Sequence, residues 1–456
     1  MSRGVTIRRI KFWWNLTQAY AIRYKFPALA SVATIFLIVF LISKVWPLLS
    51  QKNTLNIGYV GVYSLNTIPT PVLSLVTESL ITTDRNGRPL AQLASYWTVS
   101  DDGKTYLIFL KDNLKWHDAT AVDAKDISIA LLGVKITALN NRVIEFKLES
   151  PISSFLLALD KPVFKTKSFY GTGQFRIVDI DQKENIVKKI SLVPKNKEMP
   201  RVNIKFYQTE AQAIHALKIG EIKNVEVTSG QNFASWPTLA VEKEVEDQEI
   251  ITIFFNNQDP LLSSRELRQA LSYAVNRSNF AGRSATSPIA PTSWAYNESV
   301  KRYDYNTGKA KELLSKSAIA NSKIKLSVLP GLEDVAGQVK QDWQAIGVGT
   351  ELTVIKTVPE SFQALLARDK LSPDPDQYAM WHSTQSATNI TQYKDVKIDK
   401  LLEDARSEKK EDVRRELYYD FQKFLMEDAP AVFLYHPYKY KITYKNAKSQ
   451  IEKLPK

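Results

Sequence analysis

The N-terminal segment constrains this chain most, because a basic tail is followed directly by an apolar run. Residues 1–26 carry six Lys or Arg side chains and no Asp or Glu, and residues 26–42 (FPALASVATIFLIVFLI) contain no charge. Such a run is at the lower end of the roughly 17–25 residues that cross a bilayer as a helix. Because positive charge stays on the cytoplasmic side, we predict a cytoplasmic tail over 1–26, a transmembrane anchor over 27–49 and an extracytoplasmic main domain.

A cleaved signal peptide is the alternative interpretation of the same segment. Signal peptides have an apolar core of about 7–15 residues, followed by small residues at the cleavage site. Here Lys44, Trp46 and Pro47 follow the run, and Trp is typical of the interfacial belts of membrane helices. The sequence therefore favours a retained, single-pass anchor in the cell membrane.

Composition excludes several kinds of chemistry. The chain has 456 residues and no cysteine, which removes disulfides, Cys-ligated metals and thiol nucleophiles. Its net charge is +13, but the basic tail supplies six of those charges, so the main domain is only mildly basic and we expect no nucleic-acid partner. A surface receptor for nucleic acid is the alternative that a salt-dependent binding assay tests. Four histidines are spread along the chain: His117, His215, His382 and His436.

Hydrophobic periodicity predicts an α/β domain after the anchor. The segments 54–63 and 251–257 (ITIFFNN) have the character of buried strands, whereas 121–132, 264–280 and 411–428 have apolar residues at helical spacing. Strands and helices continue to alternate in the second half of the chain, which favours an α/β protein of two lobes with a second sheet covered by helices.

No motif indicates an enzyme. The sequence contains no G-x-S-x-G, H-E-x-x-H, Walker A or G-x-G-x-x-G pattern. Asp101 and Asp102 stand next to Gly103, where a turn explains them better than acid–base catalysis does. We therefore expect no catalytic residues, no metal site and no cofactor.

Ordered motifs in the main domain form a more specific pattern. Together, in this order, they resemble family 5 of the bacterial extracellular solute-binding proteins, which are the peptide-binding subunits of ABC importers. The resemblance covers nearly everything after residue 54. The motifs are PLAQLASYW (89–97), SDDG (100–103), WHDA (116–119), YGTGQF (170–175), ALKIGEI (216–222), ELRQALSYAVNR (266–277) and DAPAVFLY (428–435).

The resemblance implies a fold and a domain organisation. The expected fold is periplasmic-binding-protein-like, of type II and the peptide-binding class, with two hinged lobes that close on a solute. The first lobe, with a small inserted subdomain, is expected over 54–256, the second over 257–430, and the chain returns to the first over 431–456. Hinge residues are expected at the two crossings: Asn256, Pro260 and Pro430.

The resemblance also implies a function. The chain is expected to be a monomeric receptor that binds oligopeptides and delivers them to the permease and ATPase subunits of an ABC importer. Other cargoes remain open, namely a nickel chelate, haem or an oligosaccharide. From a different class, a tethered sensor or structural surface protein on the same fold is the competing hypothesis.

The expected ligand contacts lie in the segment PDPDQYAMWHSTQ and shortly after it. Trp supplies a flat apolar wall, and His and Gln offer hydrogen bonds without fixed charge at the end of a predicted strand. The candidates are Asp374, Asp376, Trp381, His382, Gln385, Asn389 and Tyr393.

The sequence also departs from the family pattern. Many peptide binders of the family place an Asp shortly before a D-P dipeptide to hold the peptide ammonium. The corresponding position here is Leu371, which leaves Asp374 or Asp376 as substitutes. The usual Gly after His-Asp is Ala119, and the usual Pro of the G-T-G turn is Gln174. The chain is short between 130 and 170, which predicts a trimmed subdomain and a wider, less selective cleft.

Overall fold

The computed structural model describes residues 11–19, 34, 39–40, 54–84, 86–229, 233, 235–317 and 323–455. The predicted anchor over 27–49 lies outside these residues except at three positions. Within the described part, residues 11–19 are helical, and no helix has the length and hydropathy needed to cross a membrane.

The main domain mixes strands and helices throughout. Its strands are β1 (Thr54–Val60), β2 (Ile81–Thr83), β3 (Pro89–Ala91), β4 (Ala94–Val99), β5 (Thr105–Leu110), β6 (Val134–Ala138), β7 (Val143–Leu148), β8 (Phe175–Lys183), β9 (Ile186–Pro194), β10 (Arg201–Tyr207), β11 (Asn224–Val227), β12 (Leu239–Val245), β13 (Glu249–Phe255), β14 (Gly282–Ser284), β15 (Lys323–Val328), β16 (Gly349–Val354), β17 (Ala364–Lys370) and β18 (Ala431–Tyr444). Its helices are α1 (Thr70–Leu73), α2 (Glu210–Lys218), α3 (Arg265–Ala274), α4 (Thr307–Ser315), α5 (Glu333–Ala345), α6 (Tyr378–Trp381), α7 (Val396–Ser407), α8 (Glu411–Asp428) and α9 (Lys448–Glu452).

The long strand β18 joins the two lobes. Up to Pro437 it pairs with β13 and β14, and from Tyr438 onward it pairs with β12 and β11. The sheet continues as β11-β1-β10-β9-β8 in the first lobe and as β13-β17-β15-β16 in the second. The chain crosses between the lobes at 246–248, where β12 leads to β13, and again at the partner switch in β18.

The strand crossings lie away from the predicted hinge positions and from the predicted domain boundaries at 256 and 431. The backbone N–H of Phe255 donates to the carbonyl of Pro430, and that of Asn256 donates to the carbonyl of Gln363. Both contacts are inside the second lobe, and Pro260 follows in the same lobe just before α3. The hinges at Asn256, Pro260 and Pro430 stay a prediction.

Separate hydrophobic cores stabilise the lobes. The second lobe buries the largest cluster, which includes Trp343, Trp381 and Tyr418. The small subdomain, residues 79–163, carries the four-stranded sheet β4-β5-β7-β6 and encloses its own core around Trp116 and Phe146.

The predicted helices at 264–280 and 411–428 are confirmed as α3 and α8, although α3 ends earlier. Ser264 caps α3 by accepting from the N–H of Leu267, and the helix buries an apolar face in the lobe core. The helix predicted at 121–132 is wrong, because only Ala124–Asp126 forms a short 3-10 turn.

Ala119 occupies a backbone conformation that suits glycine. Its φ is +68° and its side chain is exposed, so glycine relieves the steric cost of the left-handed region without losing packing. We expect Ala119→Gly to raise the free energy of unfolding by about 0.5–1 kcal/mol in urea denaturation. Ala121→Gly, two residues on and without a positive φ, is the matched control and is expected to destabilise. A destabilised Ala119→Gly contradicts the strain argument.

Candidate functional site

A row of three adjoining cavities runs from the crossing between the lobes, along the first lobe, to the face between the small subdomain and the second lobe. The hinge cavity, of about 820 Å³, extends from the carboxyl end of β1 at Gly58–Val60 to Lys370 and Leu371 of the second lobe. Its floor includes Glu246 and Glu249 beside the first crossing. The strand β1 lies parallel to β10 and β11, and the carboxyl ends of parallel strands are where α/β folds place ligands.

The other two cavities continue the row. The middle cavity, of about 530 Å³, shares Tyr59, Thr70 and Glu226 with the hinge cavity. The junction cavity, of about 420 Å³, lies between the small subdomain and the second lobe and shares Asp160 with the middle cavity. Each volume is within the range of small-ligand pockets, and the shared walls make an elongated site.

The hinge cavity presents charges of both signs. Lys439 ion-pairs with Glu246 at 2.8 Å and Glu226 at 3.4 Å. Burial alone would lower the pKa of Lys439, but the two carboxylates outweigh burial and raise it above its usual value. Glu249 is held by Arg368 at 2.7 Å. Lys370 forms no ion pair within the described chain, so its ammonium can interact with a bound anion.

Tyr59 remains a neutral hydrogen-bonding group in this cleft. Burial, reinforced by the nearby charge of Glu226, raises the pKa of Tyr59 to about 12. Its phenol therefore stays protonated at physiological pH. The expected contacts did not include Tyr59, Glu226, Lys370 and Lys439. The one available signal was the position of Tyr59 near the carboxyl end of a predicted core strand.

Asp369 lies next to the hinge cavity in sequence but does not line it. It is in β17 opposite Ile250, on the other face of the strand from cavity-lining Lys370, and burial raises its pKa to about 6. Within the described chain it forms no ion pair. A partly buried carboxylate without a counter-charge is costly at neutral pH.

Trp381 and His382 belong to α6 and its C-terminus, whereas the sequence predicted a strand end. Trp381 packs edge-to-face against Tyr393 and Phe433 in the second-lobe core. His382 is buried, with its ring stacked on Tyr378 at 4.1 Å and its Nδ1 2.8 Å from the hydroxyl of Thr384.

Three further expected contacts organise the loop after α6. The amide of Asn389 donates to the carbonyls of His382 and Tyr393, and the hydroxyl of Tyr393 donates to Asp428 at 2.7 Å. Gln385 donates to the hydroxyl of Thr384. None of these residues or the two in α6 lines the row of cavities, so we do not carry them into the proposed site.

Asp374 and Asp376, in contrast, line the junction cavity. Asp374 accepts from Arg414 at 2.9 Å, and both side chains are buried. Burial by itself would lower the pKa of the Arg414 guanidinium. The carboxylate of Asp374 outweighs burial and raises that pKa above its usual value. Asp376 accepts from the hydroxyl of Ser154 at 3.2 Å and lies 3.5 Å from Arg406.

The fold defines the class of protein: two α/β lobes joined at a strand crossing, with a cavity beside it. Solved structures of the two-lobed periplasmic-binding-protein fold superpose on it over 86% of the chain. The sequence matches the model of the bacterial extracellular solute-binding proteins, family 5 middle region, over residues 88–131 and 128–391. The chain belongs to this family, which confirms the family predicted from the ordered motifs.

The relatives differ in what they bind. The oligopeptide-binding protein AppA of Bacillus subtilis is 24% identical over 85% of this chain and 87% of its own length. The dipeptide-binding protein of Escherichia coli is 22% identical over 75% and 80%, and the heme-binding protein A of Haemophilus influenzae is 22% identical over 75% and 78%.

Similar solved structures also differ in the ligand that they contain. AppA from Bacillus subtilis in complex with a nonapeptide has a TM-score of 0.69, 21% identity, and coverage of 86% of this chain and 95% of that one. NikZ from Campylobacter jejuni in complex with Ni(L-His) has a TM-score of 0.70, 24% identity, and coverage of 86% and 94%. In the described part of this chain, no cluster of three His, Asp or Glu side chains has metal-binding geometry.

Proposed function

We propose that this chain is the membrane-anchored, extracytoplasmic receptor of an ABC importer, that it acts as a monomer, and that its cargo is oligopeptides. The observation that carries the cargo assignment is the row of three adjoining cavities that begins at the crossing between the lobes. An extended ligand fits such a row, and the names of several relatives state peptide binding. Binding then favours the closed form, and the closed form engages the permease, while ATP hydrolysis belongs to other subunits.

The charges of the hinge cavity support a zwitterionic cargo. Lys370 offers a cation to a carboxylate, and the Tyr59 phenol donates to a peptide carbonyl. We propose the cavity-lining carboxylates Glu226, Glu246 and Glu249 as the groups that hold the peptide ammonium, in place of Leu371.

The raised pKa of Asp369 predicts a pH-dependent effect of Asp369→Asn on stability. In the folded chain the pKa of Asp369 is about 6, against about 3.9 in an unfolded chain. Folding therefore favours the protonated form, and the stabilising contribution is complete below pH 4 and lost as the pH rises through 6. At pH 7.5 we expect Asp369→Asn to raise the free energy of unfolding by about 1–2 kcal/mol.

Urea denaturation at pH 7.5 and pH 4 measures this effect. At pH 4 the stabilisation is expected to vanish. Asp181→Asn, at an exposed position of β8, is the matched control and is expected to leave the free energy of unfolding unchanged. Equal stabilisation by Asp369→Asn at both pH values contradicts the burial argument.

Native mass spectrometry of the full chain in detergent tests the cargo. A heterogeneous set of adducts with peptide masses is the expected result, and their sizes report the accepted lengths. A single adduct with the mass of haem or a nickel chelate moves the cargo to one of those classes. A bare mass combined with no calorimetric response to added peptides favours the sensor or structural alternative.

Cysteine labelling tests the anchor, since the natural chain has no cysteine. The proposal expects a membrane-impermeant maleimide to label Lys456→Cys on intact cells and to label Ser2→Cys only after lysis. The sequence pattern at 1–49 supports this orientation. A mature chain that lacks residue 2 and leaves the membrane fraction would instead indicate a cleaved leader.

A further inference from the structure

We propose that the junction cavity is a distal ligand subsite that receives one end of an extended peptide and prefers a basic residue there. This inference rests on the proposed function. It assigns a binding role to the face between the small subdomain and the second lobe, beyond the hinge cavity where the first part of the ligand lies.

Continuity with the cleft is the first argument. Asp160 lines both the middle and the junction cavity, and the neighbouring residues Thr82 and Thr83 of β2 line one each. The two cavities therefore adjoin at Asp160, and we expect a chain extended from the hinge cavity to reach the junction cavity past this residue. A peptide that stops in the middle cavity leaves the junction cavity empty.

Closure on the outer side is the second argument. Arg88 of the small subdomain donates to both oxygens of Glu411 in the second lobe, at 3.0 and 2.8 Å. The ammonium of Lys409 donates to the carbonyl of Asp101 at 2.6 Å, and the N–H of Ser153 donates to the carbonyl of Arg406 at 2.9 Å. These contacts connect the small subdomain to the second lobe beside the junction cavity.

A close backbone approach completes the outer wall. Gly87 has a φ of +82°, and a Cβ built on it would lie 2.2 Å from the carbonyl oxygen of Pro373. Only glycine permits this approach of the β2–β3 turn to the segment before Asp374. The small subdomain thus meets the second lobe through backbone as well as through charged side chains.

The lining determines which residue fits. The charge of Asp374 is balanced by Arg414 at 2.9 Å, and Asp376 lies 3.5 Å from Arg406. Asp160 accepts only from the hydroxyl of Thr83 at 3.0 Å and has no ion pair within the described chain, so the cavity carries an excess negative charge. Apolar walls accommodate the methylene stem of a Lys or Arg side chain; they are Leu157, Ala158, Pro373 and Ala379.

Calorimetric titration of the full chain with a peptide series tests the subsite. The series runs from dipeptides to nonapeptides, each made with Lys or Glu at either end. We expect affinity to rise with length, and the longer peptides to bind about tenfold more tightly with Lys than with Glu at one end. Asp160→Asn is expected to abolish that Lys preference, whereas Asp181→Asn is the control that keeps it.

A second variant tests the volume of the junction cavity rather than the charge of Asp160. Ala379→Phe fills the junction cavity from an exposed position of α6 and is expected to weaken the longer peptides about tenfold while dipeptides bind as before. Circular dichroism confirms that both variants fold. Peptide binding that is indifferent to length, end charge and both variants overturns the subsite alone. No binding of any peptide overturns the proposed function, and the subsite with it.

Discussion

Asp374→Asn is expected to destabilise the second lobe by about 3–5 kcal/mol, which is the typical cost of removing one partner from a buried ion pair. Arg414 then remains buried without a carboxylate. In the structure its Nη2 lies 2.9 and 3.2 Å from the two oxygens of Asp374, and its guanidinium lies over the ring of Trp294 at 5.1 Å. Urea denaturation at pH 7 measures the loss.

Two comparisons make this result specific. Asp376→Asn, two residues away and with a longer ionic contact to Arg406, is the matched control and is expected to cost under about 1.5 kcal/mol. Replacing both partners, as Asp374→Leu with Arg414→Met, is expected to recover much of the loss, since hydrophobic residues of similar volume often replace a buried pair. If Asp374→Asn were no less stable than Asp376→Asn, groups other than Asp374 would have to balance the buried charge of Arg414.

Gly173→Ala is expected to destabilise the chain by about 3 kcal/mol or more, at the upper end of the cost of overpacking. A Cβ at this position would lie 2.5 Å from the carbonyl carbon of Val76 and 2.8 Å from the backbone nitrogen of Thr77. Both are backbone atoms, so no rotamer change relieves the clash. Thermal or urea unfolding measures the loss.

Gly337→Ala is the matched control for this substitution. Gly337 lies inside α5, and a Cβ there would have no heavy atom within 4 Å. Because alanine is the better helix former, Gly337→Ala is expected to stabilise by about 0.5–1 kcal/mol. Loss of stability in Gly337→Ala, or none in Gly173→Ala, contradicts the steric argument.

The surroundings of Gly173 explain two of the family motifs together. His117, from the W-H-D-A motif, donates from Nε2 to the carbonyl of Gly173 at 3.1 Å, and its Nδ1 accepts from the N–H of Gly171 at 3.2 Å. Burial lowers the pKa of His117, which suits the neutral ring that this pairing requires. The two motifs form one joint that attaches the small subdomain to the first lobe.

The sequence alone was sufficient to predict the elements that are stabilised by neighbouring residues. The helices α3 and α8 follow from 3.6-residue periodicity, and α3 also has a Ser N-cap at its predicted start. The order of the motifs was sufficient to predict the family, because a series of weak matches in one order is specific. In each case the information lies in neighbouring residues.

Which distant segments contact each other could be seen in the tertiary structure alone. The segment at 121–132 has helical spacing, but short helices are marginal alone, and here the N–H of Ala124 donates to the carbonyl of Asn141. Likewise, no local pattern shows that β18 changes partners after Pro437, which sets the crossing between the lobes. The cleft residues Tyr59 and Lys370, from different lobes, come together only through that crossing. Pairing and burial depend on residues far apart in the chain, and periodicity within one segment carries no information about them.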